Sequence, residues 1–179
     1  MPVRSVFLSL AATCLLAGPL FADHHLPKPV GEGLDNPTGV AIQPGTGDVF
    51  VAERPGVLRF RVGENGDAKR TVEINKFPTD QYGKGPIYDI GPLGLAFASS
   101  EYLIVGDGSK KDVDELIRIY QISGSPPARP IAADSAILSL GPLASTDELK
   151  AEGNYYGVVY SDRAIYATAN GDDTTGWIV

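Results

Sequence analysis

Apolar positions in this chain come in short runs separated by turn residues, and the set of runs occurs three times, more loosely in the second and third. The first set opens with Gly39-Val40-Ala41-Ile42 and continues through Asp48-Val49-Phe50-Val51-Ala52 and Val57-Leu58-Arg59-Phe60-Arg61-Val62. Thr71-Val72-Glu73-Ile74, with strict alternation, completes it. Pro44-Gly45-Thr46-Gly47 and Arg54-Pro55-Gly56 break the first three runs apart. Short apolar runs punctuated by Gly and Pro predict an antiparallel meander of strands. A second set follows at Pro92–Phe97, Tyr102–Asp107, Glu115–Ile122 and Ala136–Leu140. A third occupies Tyr156–Tyr160, Ala164–Ala169 and Gly176–Val179.

The glycines that open each set, Gly39, Gly94 and Gly157, are spaced by 55 and 63 residues. Glu53, Asp107 and Asn170 follow them by 14, 13 and 13 residues, so the second strands stay in step. Residues 75–91 and 123–135 read as insertions that stretch the spacing. Leu103-Ile104-Val105 is apolar without alternation, which predicts a strand covered on both faces. One helix is predicted, from the capping box Ser145-Thr146-Asp147-Glu148 to Gly153. There is no alternation of strands with helices.

Repeats of about 40 to 50 residues with four short strands each predict an all-β chain, a β-propeller of four-stranded antiparallel blades. The blades fall at about 36–80, 92–141 and 155–179, two complete and the third partial. A sandwich of seven to nine strands is the competing arrangement. A propeller needs at least four blades. The chain therefore reads as the N-terminal part of a longer propeller or as a truncated product. If it does end at Val179, its exposed sheet edges predict pairing between chains, and so an oligomer.

Residues 1–22 carry a different pattern. Arg4 precedes the apolar run Val6–Ala17, Gly18-Pro19 breaks it, and Ala22 is a small residue before a polar stretch. This is the layout of a secretory signal peptide cleaved after Ala22, and it predicts a secreted or periplasmic protein. The competing reading is an uncleaved anchor, for which the apolar run is short. Cys14, the sole cysteine, leaves with the leader, so the mature chain has no disulfide or thiol chemistry. Residues 23–35 form an extended lead-in segment. The formal charge of −7 becomes −8 once Arg4 is removed. An acidic chain without a basic cluster predicts no nucleic-acid partner and, after cleavage, no membrane partner. Asn36-Pro37-Thr38 is barred from glycosylation by its proline.

The stretch Leu34–Phe60, LDNPTGVAIQPGTGDVFVAERPGVLRF, resembles an NHL-type repeat in its Pro-x-Gly-Val-Ala opening and its Val-Phe-Val-Ala-Glu second strand. It is also similar to the opening blade of secreted glucose/sorbosone dehydrogenase propellers, where a Thr-Glu-Arg-x-Gly segment takes the place of Ala52–Gly56. The likeness covers about 27 residues well and the second set less closely. It implies a propeller fold, which serves many functions. The dehydrogenase likeness also implies a quinone cofactor and a histidine base, yet the only histidines, His24 and His25, precede the first blade. Gluconolactonase-like propellers would hold a divalent metal just before their innermost strands. Thr38, Leu93 and Tyr156 stand there and supply no ligand set. No cofactor is predicted from the residues, and calcium or quinone enters by family analogy alone.

Glu53, Asp107 and Asn170 are the repeated oxygen-bearing set, candidates for a polar rim or a ligand site at one end of the strands. Side chains of this kind also serve as turn formers. Asp112-Val113-Asp114-Glu115 and Gly171–Thr175 lack the spacing of an EF-hand and read as solvated hairpin tips. Tyr82, Tyr88, Tyr155 and Tyr156 are candidates for an aromatic ligand surface. No nucleophile elbow, phosphate loop or zinc motif occurs. The predicted function is an exported propeller repeat module that binds or scaffolds, with a protein or carbohydrate partner. The alternative is the N-terminal part of a secreted propeller enzyme, a sugar oxidoreductase or lactonase whose catalytic residues lie beyond Val179.

Overall fold

The computed structural model describes residues 28–172 and 174–179. The predicted leader, its cleavage point, and His24 and His25 lie outside the described residues. What is described is all-β, built of small sheets, with a single 3-10 turn at Ala133–Ser135.

The first set of apolar runs becomes β1 (Val40–Ile42), β2 (Val49–Glu53), β3 (Gly56–Val62) and β4 (Ala68–Asn75), an antiparallel meander. Glycines at positive φ, Gly45 (86°) and Gly47 (74°), turn the chain between β1 and β2. The connection that follows is not irregular throughout. It holds a hairpin of β5 (Asp80–Tyr82) and β6 (Tyr88–Ile90). The second sheet is β7 (Pro92–Phe97), β8 (Tyr102–Asp107), β9 (Ile117–Gln121) and β11 (Leu138–Leu140), again antiparallel. Between β9 and β11 the chain crosses back, and β10 (Ile131–Ala132) pairs in parallel with β4 at the edge of the first sheet. The third sheet has β12 (Val158–Ser161), β13 (Ala164–Asn170) and β14 (Gly176–Ile178).

The sheets pack face to face in chain order. Ala41, Phe50, Ala52 and Val57 of the first sheet share a core with Leu95, Leu103, Val105 and Tyr120 of the second. The rings of Phe50 and Phe97 meet edge to face at 5.0 Å. On its other face the second sheet presents Ile104, Ile117, Ala96 and Ile119 to Val158, Ile165, Ala167 and Ala169 of the third. β8 is thus apolar on both sides because it is covered on both sides.

The leading strands lie beside one another by the same device at each step. Thr38 Oγ1 donates to the carbonyls of Pro92 (3.0 Å) and Leu93 (3.1 Å), and Gly94 N–H donates to Tyr155 O (3.0 Å). A Cβ on Gly39 would collide with the Leu93 carbonyl, and one on Gly94 would stand 2.6 Å from the Tyr156 carbonyl. The glycines are required by this close backbone approach.

Two buried arginines tie the first two sheets together. Arg59, on β3, lies over Phe50 at 4.7 Å and donates to Glu73 (2.9 Å) and to the Ser123 carbonyl (2.8 Å). Its Nε stands 2.9 Å from the second Glu73 oxygen but off the hydrogen-bond direction. Arg118, on β9, donates to Asp107 (3.1 and 3.2 Å) and to the Ala133 carbonyl (3.3 Å). Buried charges of this kind are stable when paired and costly when one partner is lost.

The helix predicted at 145–153 does not form. Thr146 Oγ1 accepts the N–H groups of Glu148 (3.3 Å) and Leu149 (2.9 Å), while Thr146 N–H donates to Leu149 O (2.8 Å). Ser145 Oγ accepts Ala151 N–H (3.0 Å). The capping side chains instead close a turn, the competing outcome for Ser and Thr near their own backbone. Gly153, expected to end the helix, packs against the Glu115 carboxylate at φ 102°.

Candidate functional site

The second strands of the three sheets, β2, β8 and β13, end at Glu53, Asp107 and Asn170. The structure gives each a different partner. Glu53 is buried and accepts Asp35 N–H (3.0 Å) and Arg70 (3.4 Å). Asp107 is fully buried, accepts the N–H of Ser109 (2.8 Å) and its hydroxyl with one oxygen, and pairs with Arg118 through the other. Asn170 exchanges backbone hydrogen bonds with Gly153. Strand pairing sets Val51, Val105 and Ala167 opposite the leading-strand residues Val40, Leu95 and Val158. Glu53 and Asp107 stand two residues beyond those positions, whereas Asn170 stands three beyond.

Above these strand ends the hairpin β5–β6 helps to form two clefts. On one side it meets Asp35, Asn36 and Arg54, where Asn36 Nδ2 donates to Asp89 O (2.9 Å) and Arg54 pairs with Asp35. On the other side Asp80, Gln81, Tyr82, Gly83 and Lys84 face Asp112 and Glu152 across a cleft of about 430 Å³. A segment before the third sheet closes its base. Val113 N–H donates to Glu152 O (2.8 Å), Glu152 N–H to Asn170 O (2.9 Å), and Tyr155 N–H to Asp107 O (3.2 Å).

This cleft is electronegative. Partial desolvation by the walls of the cleft and then the charge of Asp80 push the Asp112 carboxyl up from its usual range. Glu115 lies next to it, buried, its carboxylate accepting Asn154 N–H. Burial pushes Glu115 up to about 9, against the Asn154 hydrogen bond, with Asp107, Asp112 and Asp80 adding to the rise. The carboxyl is therefore neutral at pH 7. The segment 112–115, expected as a solvated tip, divides: Asp112, Val113 and Asp114 are exposed, and Glu115 is part of the interior. The matching loop in the third sheet is a local turn, with Asp172 accepting four hydrogen bonds from Thr174 and Thr175 that hold its carboxyl down at about 2.

Of the tyrosines, Tyr82, Tyr88 and Tyr156 are exposed and Tyr155 is buried against the third sheet. Nothing in the sequence spacing of Asp80, Gln81, Lys84 and Glu152 announces that a hairpin carries the first three opposite the last. Among the described residues no group of three His, Cys, Asp or Glu side chains is placed to hold a metal ion, and no helix is long and apolar enough to cross a membrane. Comparison with protein-family models, with curated proteins and with solved structures finds no match to this chain.

Proposed function

We propose that this chain is an exported β-propeller repeat module that binds a carbohydrate at the end of its sheets where the second strands stop. Support for the propeller comes from the repeated step between sheets. Each leading strand lies beside the next across a glycine, and each sheet covers the face of the one before. Support for binding comes from the cleft between Asp80, Gln81, Tyr82 and Asp112. Convergent carboxylate and amide oxygens accept hydrogen bonds from sugar hydroxyls, and an exposed tyrosine ring offers an apolar face.

Titration calorimetry with neutral oligosaccharides tests this reading. Saturable binding that falls at least tenfold in both Tyr82→Ala and Asp112→Asn is the expected result. Binding that both variants leave unchanged would move the site elsewhere, and no binding to any neutral glycan would sink the carbohydrate assignment.

A further inference from the structure

The chain enters the third sheet through a strap, residues 151–155, and the strap closes on one buried carboxyl. Glu152 N–H donates to Asn170 O (2.9 Å) and Asn170 N–H to Gly153 O (2.7 Å), which ties the strap to β13. Tyr155 N–H donates to Asp107 O (3.2 Å) and Gly94 N–H to Tyr155 O (3.0 Å), which ties it to the second sheet. At its middle the strap meets Glu115, whose carboxylate accepts Asn154 N–H. A Cβ on Gly153 would collide with Glu115 Oε2. The strap therefore rests directly on that carboxyl.

Holding the strap closed has a cost. Gly153 (φ 102°) and Asn154 (φ 52°) are left-handed, and so is Val113 (φ 70°), whose N–H donates to Glu152 O (2.8 Å). Such backbone is strained at a β-branched residue. Asn154 Oδ1 is buried and has no hydrogen-bond partner among the described residues, which adds to the cost. The charged groups that act on Glu115 are Asp107 at the end of β8, Asp112 on its own loop and Asp80 of β5. Arg118 of β9 is already paired with Asp107, and the strap side brings the phenols of Tyr155 and Tyr156. A neutral carboxyl fits this place, and an ionised one is repelled by all three carboxylates.

We propose that Glu115 is a proton-controlled latch: the strap stays closed on the neutral carboxyl and opens locally when the proton leaves. Closed, burial above all holds the proton up to about 9; open to water, the carboxyl returns toward its ordinary 4.5. The proton thus favours the closed strap fully below 4.5, and that advantage is lost as pH rises to about 9. Opening separates Glu152 from Val113 and so takes apart one wall of the cleft that Asp80 and Asp112 line. The latch does not depend on what that cleft binds.

Trp177, the sole tryptophan, reports on the strap, because its Nε1–H donates to the carbonyl of Lys150 (2.8 Å), the residue just before it. Its fluorescence in the full chain, followed from pH 5 to pH 9 with circular dichroism alongside and no ligand present, tests the latch. The emission maximum should move to longer wavelength as pH rises while the β signal stays. Glu115→Gln should hold the parent's acid value throughout. Gly153→Ala, which pushes the strap off the carboxyl, should show the alkaline emission at every pH. Constant emission in the parent, an equal shift in Glu115→Gln, or a Gly153→Ala chain that titrates like the parent would overturn the latch. So would loss of the β signal along with the shift, which would make the opening global.

Discussion

Glu115 carries a carboxyl into a site where burial and three other carboxylates all favour its neutral form, against a single backbone hydrogen bond from Asn154. The folded state therefore holds a proton that the unfolded chain releases near its ordinary value of 4.5. Between 4.5 and about 9 the folded state binds more protons, so its stability falls as pH rises across that window. Glu73, raised to about 7 mainly by burial despite Arg59, adds the same sign over the lower part of the window. Glu115→Gln keeps an acceptor for Asn154 and removes the titration. Its urea midpoint should match the parent at pH 4 and exceed it increasingly at pH 7 and 9. A parent midpoint that rises over the same interval, with no gain from the variant, would show that Glu115 is not held neutral.

Among the elements, the leading strands are held by contact between backbones. Gly39 and Gly94 lie where any Cβ would enter the carbonyl path of the next sheet, whereas Gly63 has only ordinary contact with Asp67 O at 3.5 Å. Forcing extra atoms into such a contact costs about 1–3 kcal/mol. In a chain of this size that lowers Tm by about 5 °C. Gly39→Ala and Gly94→Ala should both show this loss in a thermal melt, and Gly63→Ala should not. Equal melting of all three would mean that the leading strands are not in backbone contact. The failed helix belongs to this scale too. Its capping-box residues do bind backbone groups, but Ser145 and Thr146 spend their oxygens on a turn that delivers Gly153 to Glu115.

Across the molecule the two cores differ in substance. The first and second sheets share Phe50, Leu103, Val105, Tyr120 and Phe77, joined by the buried Arg59 and Arg118. The third sheet meets the second through the buried Ala167 and Ala169, with Val158 and Ile165 only partly buried. Alanines bury little apolar area, so the third sheet gains less from its contact. Hydrogen exchange should therefore report two levels of protection, with amides of β8 slowest and those of β13 opening earlier in a local transition. Uniform protection across both strands would indicate one cooperative unit.

Turn chemistry and apolar runs in the sequence were sufficient to determine an all-β chain with three successive antiparallel meanders, because strand length, Gly and Pro placement and two-sided apolarity are local signals. The glycine register pointed to equivalent positions, and Gly39 and Gly94 proved to be the places where neighbouring sheets touch. Tertiary structure decided the rest. It turned Glu53 and Asp107 inward as partners of Arg70 and Arg118, since a buried carboxyl must either pair with a cation or, like Glu115, stay protonated. It made a hairpin of the connection after β4 and so set Asp80 and Tyr82 opposite Asp112 and Glu152. That cleft joins residues more than seventy positions apart, and no period in the sequence encodes such a meeting; only the packing of one sheet on the next brings it about.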